Sequence, residues 1–452
     1  MKTKKSIILF LIIIILVAIT SCSNKEPVNE ASNTKAPKAE IKIDVMRHEG
    51  YLLAAIGDFN KTHENIWINY GDTISYIDEE YKNKYITSLA VGEGPDIIRI
   101  EPRQGLISAV YKSANSGIFY DLNKLIDKDE NFKLSDYSQK VMDSGIIDGK
   151  RVFMPLGYNY RVFFAKEEAF KQNGFITEGS KWTLGNLADE AYRYRQQNKD
   201  SGKYFMVSQN FSLSDVVKIS GLSFIDQEKK KAKLNSQEFI DLLNIYKKLS
   251  PAIITTGGIY MRVSSNEYSI SMSCPEFDNG TALVMDNKLS AEMWFRDTVN
   301  ENASLFPQYT NDKSLLVEPV IAYAINSNST HKEEAYEFLK QLLSEEYQTI
   351  SGTNRNFPYL PVNNNAYINN VSSYISNLSN TQTDNDVYDR EKRKAQVKAQ
   401  LKEIESISRC DTVDAQIYDI IDSEAQSFIN GKRTAEQTAE IIQNKVMLYL
   451  NE

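Results

Sequence analysis

Three histidines, three cysteines and sixty carboxylates are the groups of this 452-residue chain from which chemistry could be built. His48, His63 and His331 stand far apart, so a histidine metal site would have to be assembled wholly by the fold, and neither a metal nor a cofactor is expected. The strings G-x-S-x-G and H-E-x-x-H, a P-loop and a Cys-rich metal pattern are all missing. Composition alone leaves open a hydrolase of the glycosidase type, which needs only two carboxyl groups flanking one bond. Cys274 and Cys410 read as two buried thiols that could also pair, since separation in sequence says nothing about geometry.

The third cysteine has a more specific setting. Met1, Lys2, Thr3, Lys4 and Lys5 precede an apolar run of 13 residues, Ile7 to Ile19. A bilayer-spanning helix needs about 20 such residues, so the run suits a secretory signal peptide over residues 1–21. Ile19, Thr20, Ser21 and Cys22 resemble a bacterial lipobox, in which the cysteine takes a diacylglycerol thioether. Cys22 is therefore the expected lipid anchor, palmitate-type acyl chains giving membrane affinity at roughly 0.8 kcal/mol per buried CH₂. Residues 22–39 hold almost no apolar side chain and read as a disordered tether to the extracytoplasmic face. Without the three leader lysines the formal charge of -8 becomes about -11, and so acidic a body argues against nucleic acid as a partner.

About 410 residues remain after the tether, a comfortable length for two domains. Ile41, Ile43 and Val45 alternate as a strand requires, Leu52, Leu53, Ile56 and Phe59 recur at helical spacing, and Ile66 to Tyr70 returns to alternation. A second helical face follows at Ile77, Tyr81, Tyr85 and Leu89, broken by GEGPD before a third strand, IIRI, at 97–100. Alternating strands and helices predict a parallel sheet covered on both faces, with ligands beyond the carboxyl ends of the strands. The loops MRHEGY and EPRQG occupy those ends. Further on, 185–198, 236–249 and 332–348 are helical by pattern, and 281–285 and 319–325 are strands. From Tyr388 to Leu450 the sequence predicts two or three helices with a turn at Asn430 and Gly431.

Several stretches, in order and well spaced, resemble the extracellular solute-binding proteins of family 1, the maltose-binding-protein-like receptors of ABC importers. They include DFNKTHENIWINY, SLAVGEGPDIIRI, FYDLNKLIDKDENF, DGKRVFMPLGYNYRVFFAKEEAFKQNGF, KWTLGNLADEA and NGTALVMD. INSNSTHKEEAYEFLKQLLSEEYQ, PYLPVNNNAY and FINGKRTAEQTAEIIQNKVMLYL extend the likeness over nearly all of the chain after the tether. The resemblance implies an α/β, two-lobed periplasmic-binding-protein-like fold of type II with an interlobe cleft and a helical C-terminal region. Lobe 1 would comprise 40–155 plus 320–357, and lobe 2 would comprise 156–319 plus 358–452. Crossings would fall near Phe153 to Tyr158, Val317 to Ala322 and Phe357 to Val362.

By position in such a fold, the ligand contacts implied are His48, Glu49 and Tyr51 after the first strand, and Glu101, Arg103 and Gln104 after the third. Tyr158, Asn159 and Tyr160 follow the first crossing, and Asp286 and Asn287 follow ALVM. Family members often carry glycine and an aromatic ring at that last place. The departure weakens a sugar-stacking platform, for which Trp294 or a tyrosine could substitute. A second departure is FFAK at 163–166, where a tyrosine and an asparagine are common. Trp182, beside the Thr183 helix start, reads as core packing. Carboxylates and amides that fork onto hydroxyls beside tyrosine rings suit a carbohydrate, while Arg103 with Glu49 and Glu101 would also suit a zwitterionic peptide or a polyamine. The resemblance implies a monomeric, non-catalytic binding protein delivering its solute to membrane permease subunits; a ligand-sensing lipoprotein using the same fold is the other reading.

Overall fold

The computed structural model describes residues 38–47, 49–74, 79–101, 106–107, 109–175, 183–257, 260–263, 270–289, 303–307, 310, 312, 314–349, 357–380 and 407–452. Cys22, His48, Arg103, Gln104, Trp182 and Trp294 lie outside the described residues, as do the signal and all but the end of the tether. Ala39, at that end, already belongs to the first strand.

Strand β1 (Ala39–Lys42), helix α1 (Gly50–Thr62) and strand β2 (Ile66–Asn69) make a parallel β-α-β unit. The helix buries Tyr51, Leu52, Ala55, Ile56 and Phe59, one face at helical spacing. Helix α2 (Glu79–Ala90) leads to β3 (Ile97–Ile100), which a parallel bridge from Ile43 to Ile97 sets beside the end of β1. So far the sheet is as expected. On its other edge, however, β3 pairs antiparallel with a strand from far along the chain. No helical crossover joins those two strands, so nothing imposes a parallel direction, and the sheet is mixed.

That sheet has nine strands among the described residues. Its spine is β4 (Met154–Lys166), flanked through the sheet by β5 (Tyr204–Ser208), β6 (Ile253–Thr255), β7 (Ala282–Leu289), β8 (Ala303–Pro307), β9 (Leu315–Ile325), β10 (Leu360–Pro361) and β11 (Ile407–Cys410). The first half of β4 pairs with β9 and β10, and the second half with β7 and β8. Both long strands are buried almost throughout, which is why they read as near-continuous apolar runs.

The chain departs from regularity where these strands meet. Pro319 cannot donate to a ladder, and proline inside a sheet is confined to edges or bulges. The β4–β9 register accordingly shifts on either side of Ile321. Opposite lies Gly157, where an added Cβ would stand 2.4 Å from Cβ of Tyr359. The three segments expected as crossings are thus neighbours in one sheet.

Helix α3 (Leu184–Gln197) covers β5, and α4 (Leu213–Ser220) packs against α5 (Gln237–Leu249), which packs in turn on α3, with Thr183 Oγ1 capping α3 by accepting from Asn186 N. Such a cap is worth about 1 kcal/mol. Helix α6 (Lys332–Leu343) stops short of the expected 348 because Ser344 turns outward and caps a separate turn, Glu345–Gln348. Helix α7 (Asn364–Asn380) follows. Just before and at its start, Asn363 Nδ2 donates to Leu343 O and Asn364 Nδ2 to Ser135 O. The C-terminal region is helical as expected, α8 (Ala415–Ile429) and α9 (Ala435–Asn451) turning at Asn430 and Gly431, but it is preceded by β11, paired parallel to β9. Cys274 and Cys410 are free thiols. No described helix is long and apolar enough to cross a membrane.

Candidate functional site

The bulge at Pro319 opens onto a cavity of about 590 Å³. Glu318, Pro319 and Val320 line it from β9, Asn159 from β4 and Glu101 from the end of β3. Lys288 comes from β7, Asn210 and Ser212 from the segment leading into α4, and Ser214, Asp215 and Lys218 from α4 itself. Ser212 and Asp215 close a capping box there, which explains why a polar string begins a wholly buried helix. Ala415, Tyr418, Asp419 and Asp422 line the last side at spacings of three and four, one face of α8. Ile417, Ile421, Ala425 and Phe428 bury the opposite face.

The cavity wall is charged and internally paired. Lys218 Nζ lies 2.8 Å from Glu318 Oε1, 3.1 Å from Asp411 Oδ2 and 4.1 Å from the ring centre of Tyr418. Lys288 pairs with the other oxygen of Glu318. Behind them Arg161 bridges Asp215 and Asp286, at 2.6 Å to the latter, and Ser208 Oγ donates to Asp286 at 2.7 Å. Burial pushes the Asp286 carboxyl up from the usual range although Arg161 pulls it down. Burial also opposes the charge of Arg161, yet Asp215, Asp286 and Glu318 hold its pKa above the ordinary arginine value. Asn159 Oδ1 is buried without a hydrogen-bond partner. Among the described residues no cluster of His, Cys, Asp and Glu has the makings of a metal site.

Of the residues picked out in the sequence, Glu101 and Asn159 line this cavity. Asp286 stands one ion pair behind it, and Asn287 adjoins Lys288, with its own Oδ1 accepting from Lys288 N at 2.7 Å. Tyr158 and Tyr160 point into the apolar core, 1% and 3% exposed, and burial pushes the Tyr158 hydroxyl well up. A tyrosine that follows a crossing on a two-sided strand goes inward or outward by register, which sequence alone leaves open.

Glu49 and Tyr51 differ most from expectation. Glu49 is fully buried, accepting from Met46 N at 2.9 Å and from Tyr51 Oη at 2.9 Å and pairing with Arg99. Arg99 also pairs with Glu101, Nε donating at 2.8 Å. Burial works against its charge, but Tyr323, Glu49 and Glu101 raise its pKa further. Arginine within the four-residue strand IIRI was the available signal, because a buried charge demands a partner. Arg161 within YNYRVFFA and Glu318 within LLVEPVIAYAI carried the same signal for the second cluster. Tyr418 and Asp422 had only the polar stripe of α8 to announce them, and Asp411, directly after β11, had not even that.

A mixed sheet shared by two α/β lobes, with a polar cavity at the crossing strands, defines a two-lobed binding protein of the type II periplasmic class. Residues 54–376, well over half of the chain, match the family model for bacterial extracellular solute-binding proteins, and this chain belongs to that family. Membership makes it an extracytoplasmic solute-binding protein.

Among solved structures, an ABC substrate-binding protein of Listeria monocytogenes in complex with cycloalternan is 19% identical over 92% of this chain and 99% of that one, with a TM-score of 0.63. The GacH receptor of Streptomyces glaucescens, solved unliganded and with acarbose, is 15% identical over 92% and 100%, with a TM-score of 0.61. A de novo designed esterase matches at 17% identity over 91% and 98%, with a TM-score of 0.65. At these identities the likeness is one of fold.

Proposed function

We propose that this chain is the solute-capturing lipoprotein of an ABC importer. It closes its two lobes on an oligosaccharide or other carbohydrate and hands the intact solute to membrane permease subunits. The observation that carries this reading is the cavity at the strand crossing, to which β3, β4, β9, α4 and α8 all contribute polar side chains. A solute shifts an open and closed equilibrium only by its differential affinity for the two states, so contacts from both sides are what closure requires. Hydroxyl groups are matched by the carboxylates, the lysines and the unpartnered Asn159 Oδ1. The names of the Listeria and Streptomyces proteins, with cycloalternan and acarbose as their ligands, point the same way.

Lobe 1 comprises 40–155 plus 320–357 in this reading, joined by 358–380 on the strength of the Asn363 and Asn364 bonds, and lobe 2 comprises 156–319 and the C-terminal helices. His48, Arg103, Gln104 and Trp294 are further candidate contacts. Cys22 carries the lipid that holds a monomer on the outer face of the cell membrane, so Cys22→Ala should release the chain from the membrane or block its processing. The test of the whole is small-angle scattering with a carbohydrate and oligopeptide panel, followed by analysis of the recovered ligand. A bound carbohydrate should shrink the radius of gyration and emerge uncleaved. A tight ligand that leaves the dimensions unchanged, or is hydrolysed, ends the receptor mechanism.

A further inference from the structure

The charges around the cavity do not balance, and the imbalance has a direction. Arg161, Lys218 and Lys288 are already committed to Asp215, Asp286, Glu318 and Asp411. Asp419 and Asp422 remain. Neither pairs with a Lys or Arg among the described residues; Asp422 accepts from Ser214 N at 2.7 Å and Ser214 Oγ at 2.8 Å and from the Ser212 hydroxyl, all uncharged donors. They lie one turn apart on the α8 face that lines the cavity. Beyond that wall, Glu49 and Glu101 share the single guanidinium of Arg99. Asn159 Oδ1, buried and unpartnered, is one more acceptor with no donor, and Asp286 Oδ1 is another, on a side chain 95% shielded from solvent behind Arg161. Among the described residues, then, the lining is rich in acceptors and negative charge, while its cations are already paired.

A neutral hydroxyl offers one donor and leaves such a field uncompensated. A protonated amine offers three donors and the missing charge. A lysine already occupies the equivalent position beside them, lodged between Glu318 and Asp411 over the Tyr418 ring. We propose that the cavity selects a ligand bearing a cationic amine, which seats against Asp419 and Asp422. On the carbohydrate reading above, on which the proposal rests, that ligand is an amino sugar or an oligosaccharide containing one.

The test is calorimetric titration of the full chain with a β-1,4 glucosamine tetramer, its neutral glucose counterpart and spermidine, below the pKa of the sugar amines. The glucosamine tetramer should bind at least about tenfold tighter than the neutral one, the usual advantage of a charge-assisted bond. Asp419→Asn should remove most of that preference; Asp419 is exposed and holds no internal partner, so its loss leaves folding intact. Asp422→Asn should do the same if its bonds to Ser214 survive. Equal or tighter binding of the neutral tetramer overturns the charge inference and leaves the carbohydrate reading standing. Binding of spermidine alone upholds the charge inference and ends the carbohydrate reading. Binding of none of the three, or a preference unchanged in Asp419→Asn, overturns it.

Discussion

Two arginine-centred clusters sit in the same sheet and do different work. Arg99, on β3, is sealed among Glu49, Tyr51 and Tyr323, with only Glu101 reaching the cavity. Arg161, on β4, is backed by Asp286 but faced by Asp215, and through Glu318 its neighbours open directly on the cavity. The first cluster has turned its polar groups on each other and ties the start of α1 to β3. The second keeps acceptors in reserve. A buried ion pair that is complete is a structural fixture, whereas one that borders a void with unsatisfied oxygens is poised for something from outside.

The contrast can be broken by experiment. Arg99→Met strands Glu49 as an unpaired buried carboxylate and should cost about 3–5 kcal/mol in urea unfolding, the usual penalty for breaking a buried pair. A loss under about 1 kcal/mol would mean the first cluster is not structural.

Asp414, between cavity-lining Val413 and Ala415, sharpens the second region. Burial pushes its carboxyl from 3.8 up to about 6, against donation from Tyr111 N and Tyr449 Oη. Between those values the folded chain holds a proton that the unfolded chain has released, so stability falls as pH rises from about 4 to about 6 and then levels. The full difference amounts to about 3 kcal/mol. Unfolding of wild type against Asp414→Asn over that range should show the gap moving in favour of the variant; a constant gap refutes the assignment.

Asn159→Ala removes an acceptor with no internal partner. Ligand affinity should fall by about 1–3 kcal/mol while the unfolding midpoint stays put. A shift in midpoint without loss of affinity would move Asn159 into the structural class with Arg99. As a baseline, exchanging Lys84 and Glu80, an exposed pair on α2, should change stability by no more than about 0.5 kcal/mol.

How much of this could be read in the residues follows from what each signal measures. Periodicity reports which side chains turn inward, so IIRI, α1, α3, α5 and the final two helices stand where they were expected. Strand direction depends on a partner far along the chain, and β9 arrives antiparallel beside β3 for reasons no local window contains. The site divides in the same way. Loops at strand ends gave Glu101, and the resemblance gave Asn159. They also gave Glu49 and Tyr158, because a position at a strand end does not say whether the side chain turns to the cavity or to the core. Lys218, Asp411 and Tyr418 come from three separate segments brought together only by β9 and β11. The proline of the bulge was in plain view at 319, and with it a place where a central strand had to break its ladder.

The pairing of β3 with β9 also governs when this chain can fold. Ile97 is matched by Ile325, about half the chain length later, and Met154 by Tyr323. Contacts so distant in sequence make for slow folding, since loop closure must precede any gain from pairing. Strand β3, already set beside β1, has no partner on its other edge until residue 325 has been delivered. A chain threaded outward from its N-terminus would therefore stay pliable through most of its passage, and its architecture delays collapse until the far strand has arrived.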